Sequence, residues 1–143
     1  MHMAPIFVAN HDLLVSVFGE WPSFHDAEVL SLSLDRSGPR IDLTLYVFRT
    51  TPELNDQGQF KKCDEVVVEM RFMEVSDLRF RDFNEQNVLA ELSLLEESGG
   101  KRVHLYGLYG LTGSFLCEEV EIRKVDRLVS GPNWAIGDGI LNH

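Results

Sequence analysis

Apolar residues recur at a helical spacing only near the start of this chain, and at every second position along much of the remainder. Four of them share one face of a helix: Leu13, Leu14, Val17 and Phe18. Asn10 precedes them as a candidate N-cap, and Gly19 follows as a residue that can end a helix in the left-handed conformation. The pattern therefore predicts one short N-terminal helix.

The alternation along the rest of the chain predicts a series of strands. Residues 29–34 and 41–47 form the clearest pair, because the turn sequence Arg36-Ser37-Gly38-Pro39 separates two runs of alternating apolar residues. Further strands are predicted near residues 66–72, 78–80, 92–94, 103–106 and 114–125. The first pair should form a hairpin, and the others should extend the same sheet.

About seven strands and one helix predict a mainly β protein, with an α+β protein as the alternative. The sheet is expected to be antiparallel, because no long helices are available for the crossovers that parallel strands need. One short helix covers only part of a sheet face, so the sheet must curl, become sandwich-like, or offer a face to a partner. The length suits a single domain, 1–143, in which 126–143 form a less regular C-terminal tail.

The charge balance narrows the classes of partner. Thirteen Lys and Arg against twenty-three Asp and Glu give a net charge of −10. Such a surface repels phosphate backbones and offers no basic patch to anionic lipid, so neither nucleic acid nor a membrane is expected as a partner. It favours a basic protein. Without a long apolar run or a secretory signal, the chain is expected to be cytoplasmic.

The densest group of chemically capable side chains precedes the first predicted strand. It reads Trp21-Pro22-Ser23-Phe24-His25-Asp26-Ala27-Glu28-Val29. Trp21 and Phe24 can anchor the segment, whereas His25, Asp26 and Glu28 could bind a metal, transfer protons or fix the incoming loop. In an extended strand His25 would point away from the two carboxylates. We therefore interpret all five residues as structural, and expect no metal, no cofactor and no catalytic residue.

Three glycines recur at every third position in a second candidate segment. They are Gly107, Gly110 and Gly113. Phosphate-binding loops place such glycines between a strand and a helix, but here a strand is predicted to follow and no Lys or Arg lies between the glycines. A connection or a kinked strand that needs glycine is therefore the favoured interpretation.

The segment from Trp21 to Val29 resembles the opening motif of the immunity protein 50 family, small bacterial proteins of polymorphic toxin systems. Weaker similarity follows at Leu43–Phe48, Asp82-Phe83-Asn84 with Gln86-Asn87-Val88, and Gly110 through Phe115 to Cys117. The resemblance covers approximately residues 18 to 125, and residues 130–134 have no counterpart. It implies a non-enzymatic protein that binds and neutralises a cognate toxin of the same bacterium, and it supplies no catalytic residues.

Three carboxylates of the last predicted strand are the candidate toxin contacts: Glu118, Glu119 and Glu121. Apolar positions change phase after Cys117, and a bulge at Glu118 and Glu119 would reconcile the two phases. Because a bulge re-aims side chains, these carboxylates are expected at the margin of the sheet. Asp64 and Glu65 form a comparison pair that is expected to matter less.

The sequence thus predicts an immunity protein that blocks the active surface of a basic toxin, for which a nuclease is one candidate. The alternative is a small metal-binding protein or enzyme that uses His25, Asp26 and Glu28. A plain oligomeric scaffold is a third hypothesis, and the sequence leaves a homo-oligomer open.

Overall fold

The computed structural model describes residues 2–128, which form one nine-stranded sheet and one short helix. The elements are β1 (Val8–Ala9), α1 (Asp12–Phe18), β2 (Glu28–Asp35), β3 (Arg40–Leu54), β4 (Phe60–Met73), β5 (Ser76–Arg81), β6 (Val88–Glu97), β7 (Gly100–Tyr109), β8 (Thr112–Cys117) and β9 (Glu119–Arg127). Their order in the sheet is β1-β9-β4-β3-β2-β6-β7-β8-β5. The prediction of a mainly β protein with one short helix is confirmed.

The predicted helix end is confirmed and its start is corrected. Gly19 has a φ of 78° and its N–H donates to the carbonyl of Val15 at 2.7 Å, which closes α1 in the left-handed conformation. His11, rather than Asn10, occupies the N-cap position, and no side-chain hydrogen bond caps the helix. Asn10 instead has a positive φ of 61° and belongs to the turn before the helix.

The prediction of about seven antiparallel strands was wrong in number, since the sheet has nine strands, and the sheet is antiparallel at every pairing except one. β1 is an added strand, and it pairs in parallel with β9 through Val8 opposite Val120. A strand of two residues is too short to show an alternating period, so the sequence gives no signal for it. The β2–β3 hairpin is confirmed, and its register places Leu34 opposite Ile41.

The predicted bulge at Glu118 and Glu119 was also wrong. β8 ends at Cys117 and β9 begins at Glu119, so the phase change marks a passage between two strands. β8 pairs with β7 and β5, whereas β9 pairs with β4 and β1. The Glu118 N–H donates to the carbonyl of Met73 at 3.0 Å. A register shift does occur further along β9, where Glu69 faces Lys124 and Met70 faces Ile122.

The sheet folds over so that its two halves share one core. Phe72 on β4 and Phe115 on β8 are fully buried, and their rings meet at a centroid distance of 5.0 Å and an angle of 81°. Four strands lie between β4 and β8 in the sheet order, so in a flat sheet the two would be about 24 Å apart. The halves are β1-β9-β4-β3-β2 and β6-β7-β8-β5, and the chain crosses between them at residues 74–75 and at Glu118.

The helix covers one part of the core. α1 packs against β9 and β4, with Leu14 and Phe18 buried.

Cys117 is a buried free thiol whose pKa is raised to about 11 by desolvation. No helical segment within residues 2–128 is long and apolar enough to cross a membrane. Apart from residues 126–128, the tail predicted at 126–143 lies outside the described residues.

Candidate functional site

The aromatic residues of the Trp21–Val29 segment anchor it in the core. The rings of Trp21 and Phe24 are buried and pack edge to face at a centroid distance of 5.6 Å. Ala27 is also buried, and its N–H donates to the carbonyl of Phe24 at 3.0 Å. The segment is therefore a tight, packed turn that delivers the chain into β2.

The same turn joins the two halves of the sheet. The Asp26 N–H donates to the carbonyl of Leu89 at 2.8 Å, and the Leu89 N–H donates to the carbonyl of Ala27 at 2.8 Å. A third bond runs from the Val29 N–H to the carbonyl of Asn87 at 2.7 Å. These backbone bonds hold β2 beside β6, so the segment fixes how the halves meet.

His25 and Asp26 point outward together and do not enter the core. His25 Nδ1 lies 3.1 Å from Asp26 Oδ1, with the two side chains 60% and 53% exposed. Asp26 has a positive φ of 71°, which interrupts the extended backbone before β2 begins. The expectation that His25 points away from Asp26, which assumed an extended strand, is therefore wrong.

The two side chains line a cleft of about 380 Å³, shared with Glu20, Phe48 and Arg49. The Arg49 Nε donates to Asp64 at 3.1 Å, and its guanidinium lies 5.6 Å from the centre of the Phe18 ring. The Asp64 carboxylate holds the pKa of Arg49 above its usual value. The cleft therefore contains one fixed cation and the exposed His25–Asp26 pair.

Glu28 lies in a different environment, at the start of β2. It pairs across the strand with Tyr46 and Val88, and burial raises the pKa of its carboxyl. Desolvation also raises the pKa of Tyr46, whose hydroxyl donates to Glu65. Within residues 2–128, no three His, Cys, Asp or Glu side chains come together in a way that could hold a metal ion.

The geometry at Asp26 leads to a first prediction. Asp26→Gly should be more stable than Asp26→Ala by about 1 kcal/mol, because glycine adopts the left-handed backbone without the steric cost of a β-carbon. Urea unfolding of both variants measures the difference. If the two lose equal stability relative to the native chain, the carboxylate rather than the backbone holds the turn.

The predicted acidic contacts border a second cleft, of about 390 Å³. Glu118 and Glu119 are exposed and Glu121 is half-buried, whereas the alternating neighbours Val120 and Ile122 are in the core. The structure therefore brings the three carboxylates to one cleft, where β9 lies between β1 and β4 and not at the margin of the sheet.

Two cations also line this second cleft. Lys101 Nζ donates to the carbonyl of Glu118 at 2.9 Å and lies 5.7 Å from the centre of the Phe7 ring. The Arg71 Nε donates to Asp42 at 2.8 Å, and Arg71 faces Glu121 across the strands. Glu121 therefore has a cationic neighbour, whereas Glu118 and Glu119 offer the more accessible negative charge.

Sequence reasoning missed Asn87, the only polar residue among the described residues that is buried, at 2% exposure. Its Oδ1 accepts hydrogen bonds from the N–H groups of Asn84 and Leu111, both at 3.0 Å, and its Nδ2 donates to the Asn84 carbonyl at 2.7 Å. A β-carbon added at Gly110, where φ is 72°, would lie 2.5 Å from the same Oδ1. The interpretation of the glycine segment as a connection that needs glycine is confirmed.

A family model described as immunity protein 50 matches residues 10–128, which include all but the first eight described residues. The chain belongs to the immunity protein 50 family. The resemblance carried by the Trp21–Val29 segment is thereby confirmed, and the match extends to the end of β9. No curated protein and no solved structure gives a significant match. Family membership implies an immunity protein that binds a cognate toxin.

Proposed function

We propose that this chain neutralises its cognate toxin in the cytoplasm, by binding over the active surface of a basic toxin and without catalysis of its own. The observation that carries the proposal is the family match over residues 10–128. A nuclease is a physically suitable target, because carboxylates can occupy a cleft built to bind phosphate.

The distribution of charge supports a basic partner. Nine of the thirteen Lys and Arg side chains lie within 4.0 Å of a carboxylate, so most of the positive charge of the described residues is balanced locally. Carboxylates remain in excess, and Glu118 and Glu119 are exposed members of that excess. Such a field would steer a basic protein toward the second cleft.

The alternative, a metal-binding protein or enzyme that uses His25, Asp26 and Glu28, gains no support from the geometry. Asp26 faces the first cleft beside His25, whereas Glu28 is half-buried beside Tyr46 on β3. The immunity function therefore has the stronger basis.

The direct experiment is co-expression with the protein encoded immediately upstream of this gene. The upstream protein should arrest growth when expressed alone, and this chain should restore growth and co-purify with it. Loss of growth arrest without co-purification would contradict neutralisation by binding.

Charge reversal at Glu118 and Glu119 tests how the two proteins meet. Glu118→Lys/Glu119→Lys should slow association with the upstream protein about tenfold at low salt, because exposed charges act mainly on the encounter rate. Glu53→Lys/Asp56→Lys is the matched control, since it makes the same change in net charge at the exposed end of the β3–β4 hairpin. Equal slowing by both variants would show that only net charge matters.

A further inference from the structure

Exposed large apolar side chains are concentrated in the second half of the sheet and the loops beside it. Twelve large apolar side chains are exposed among the described residues, and half of them fall between residues 78 and 109: Leu78, Phe83, Leu95, Tyr106, Leu108 and Tyr109. Exposed apolar side chains that cluster on one part of a small protein mark an interaction surface more often than scattered ones do. The cluster lies on β5, β6, β7 and the loops beside them.

Strand register shows which of these side chains share a face. Leu95, Arg102 and Leu116 lie side by side across β6, β7 and β8. His104 and Tyr106 continue the same parity along β7, while the alternating residues Val103 and Leu105 are fully buried in the core. We name the outward group the β7 patch: Leu95, Arg102, His104, Tyr106 and Leu116.

The β7 patch is already ordered in the unbound chain. The rings of His104 and Tyr106 stack at a centroid distance of 5.2 Å and an angle of 13°. Arg102, between the two leucines, is held by Asp77 at 3.0 Å and by Glu97 at 3.8 Å. Since these side chains are already restricted before binding, little further side-chain conformational entropy would be lost when a partner binds.

The β7 patch has the composition of the centre of a protein interface, and carboxylates of this chain lie around it. Tyrosine and arginine are the residue types that most often contribute binding energy, especially where apolar neighbours exclude water. Carboxylates surround the patch: Glu91 faces Tyr106, Asp77 and Glu97 flank Arg102, and Glu118 is exposed two residues after Leu116. A complementary partner would present an apolar centre with basic residues around it.

We propose that the β7 patch is the main contact for the toxin, a proposal that rests on the proposed function above. A second copy of this chain is a poor occupant, because two chains of net charge −10 would bring like charges together around the patch. Glu118 and Glu119 then speed the encounter at the edge of the contact, and the β7 patch slows dissociation.

The decisive variant is Leu95→Ala/Tyr106→Ala, which removes two side chains that are 54% and 44% exposed. It should raise the dissociation rate from the upstream protein about thirtyfold and change the association rate less than about threefold. The matched control is Leu54→Ala/Phe60→Ala, a leucine and an aromatic residue that are 58% and 57% exposed and face each other at the end of the β3–β4 hairpin. The control should dissociate at the native rate.

Each outcome separates the two proposals. If the native chain binds and neutralises the upstream protein but Leu95→Ala/Tyr106→Ala dissociates at the native rate, the β7 patch is not the contact and the immunity function stands. If the native chain neither binds nor protects, the proposed function fails as well. A native dimer that the same variant converts to a monomer would show that a second copy covers the patch, which overturns the proposal.

Hydrogen exchange on the native complex gives a measurement that needs no variant. Binding should slow amide exchange at residues 93–95, 102–106 and 114–116, with no change at residues 54–60. Slowed exchange confined to other strands would also overturn the proposal, even if the double variant failed to fold.

Discussion

Replacement of Phe115 by alanine is expected to lower the free energy of unfolding by about 4 kcal/mol. Phe115 is fully buried, and its ring contacts Phe72 at 5.0 Å and Phe80 at 5.9 Å between centroids. These contacts join β8 to β4 across the fold and to β5 beside it, so the truncation leaves a cavity where the two halves of the sheet meet. Urea unfolding of the native and variant chains measures the loss.

Phe60→Ala is the control for this experiment. Phe60 is 57% exposed, so its truncation should change the free energy of unfolding by less than about 0.5 kcal/mol. Losses of similar size in Phe115→Ala and Phe60→Ala would contradict a core shared by the two halves. The double variant of Phe72 and Phe115 should show a coupling of about 1 kcal/mol, since the rings pack edge to face.

Replacement of Asn87 by alanine is expected to lower the free energy of unfolding by about 3 kcal/mol. The change removes the acceptor for two backbone N–H groups, of which that of Leu111 belongs to a residue only 1% exposed. A buried N–H without a partner keeps the full cost of its lost hydration. Urea unfolding measures this loss, and hydrogen exchange at Leu111 should become faster.

Asn55→Ala is the matched control for Asn87→Ala. Asn55 Oδ1 also accepts two backbone hydrogen bonds, from Gln57 and Gln59 at 2.9 Å, but it does so in an exposed turn. Water can replace the lost acceptor there, so the loss should stay below about 1 kcal/mol. Equal losses at both positions would show that burial does not set the importance of Asn87.

The parts of the fold that could be predicted from the sequence are those that depend on near neighbours. Helix α1 follows from the helical spacing of its apolar residues and from Gly19, although Leu13 is exposed and only Leu14 and Phe18 are buried. The β2–β3 hairpin follows from two alternating runs around a turn. The buried aromatic anchors Trp21 and Phe24 were anticipated for the same reason. In each case the signal and the structure it predicts lie within about twenty residues.

The candidate site was only partly predictable from the sequence, because one backbone angle determines which side chains share the first cleft. The positive φ of Asp26 turns His25 and Asp26 into the same cleft and leaves Glu28 on β2, whereas an extended strand would have paired Asp26 with Glu28. The structural role of Asn87 could not be predicted from the sequence, because Leu111, whose N–H donates to its side chain, is 24 residues further along the chain. The family motif marks the segment, and the backbone conformation at Asp26 sets which of its side chains line the cleft.

The strand-rich class, the short helix, the acidic surface and, through its motif, the family all follow from the sequence alone. The division of the last predicted strand at Glu118, and the entry of its parts into opposite halves of the sheet, are visible only in the folded structure. Alternation specifies that a residue is buried, but it does not specify which distant strand covers it. The pairing of Phe72 with Phe115 and the outward β7 patch depend on that non-local choice.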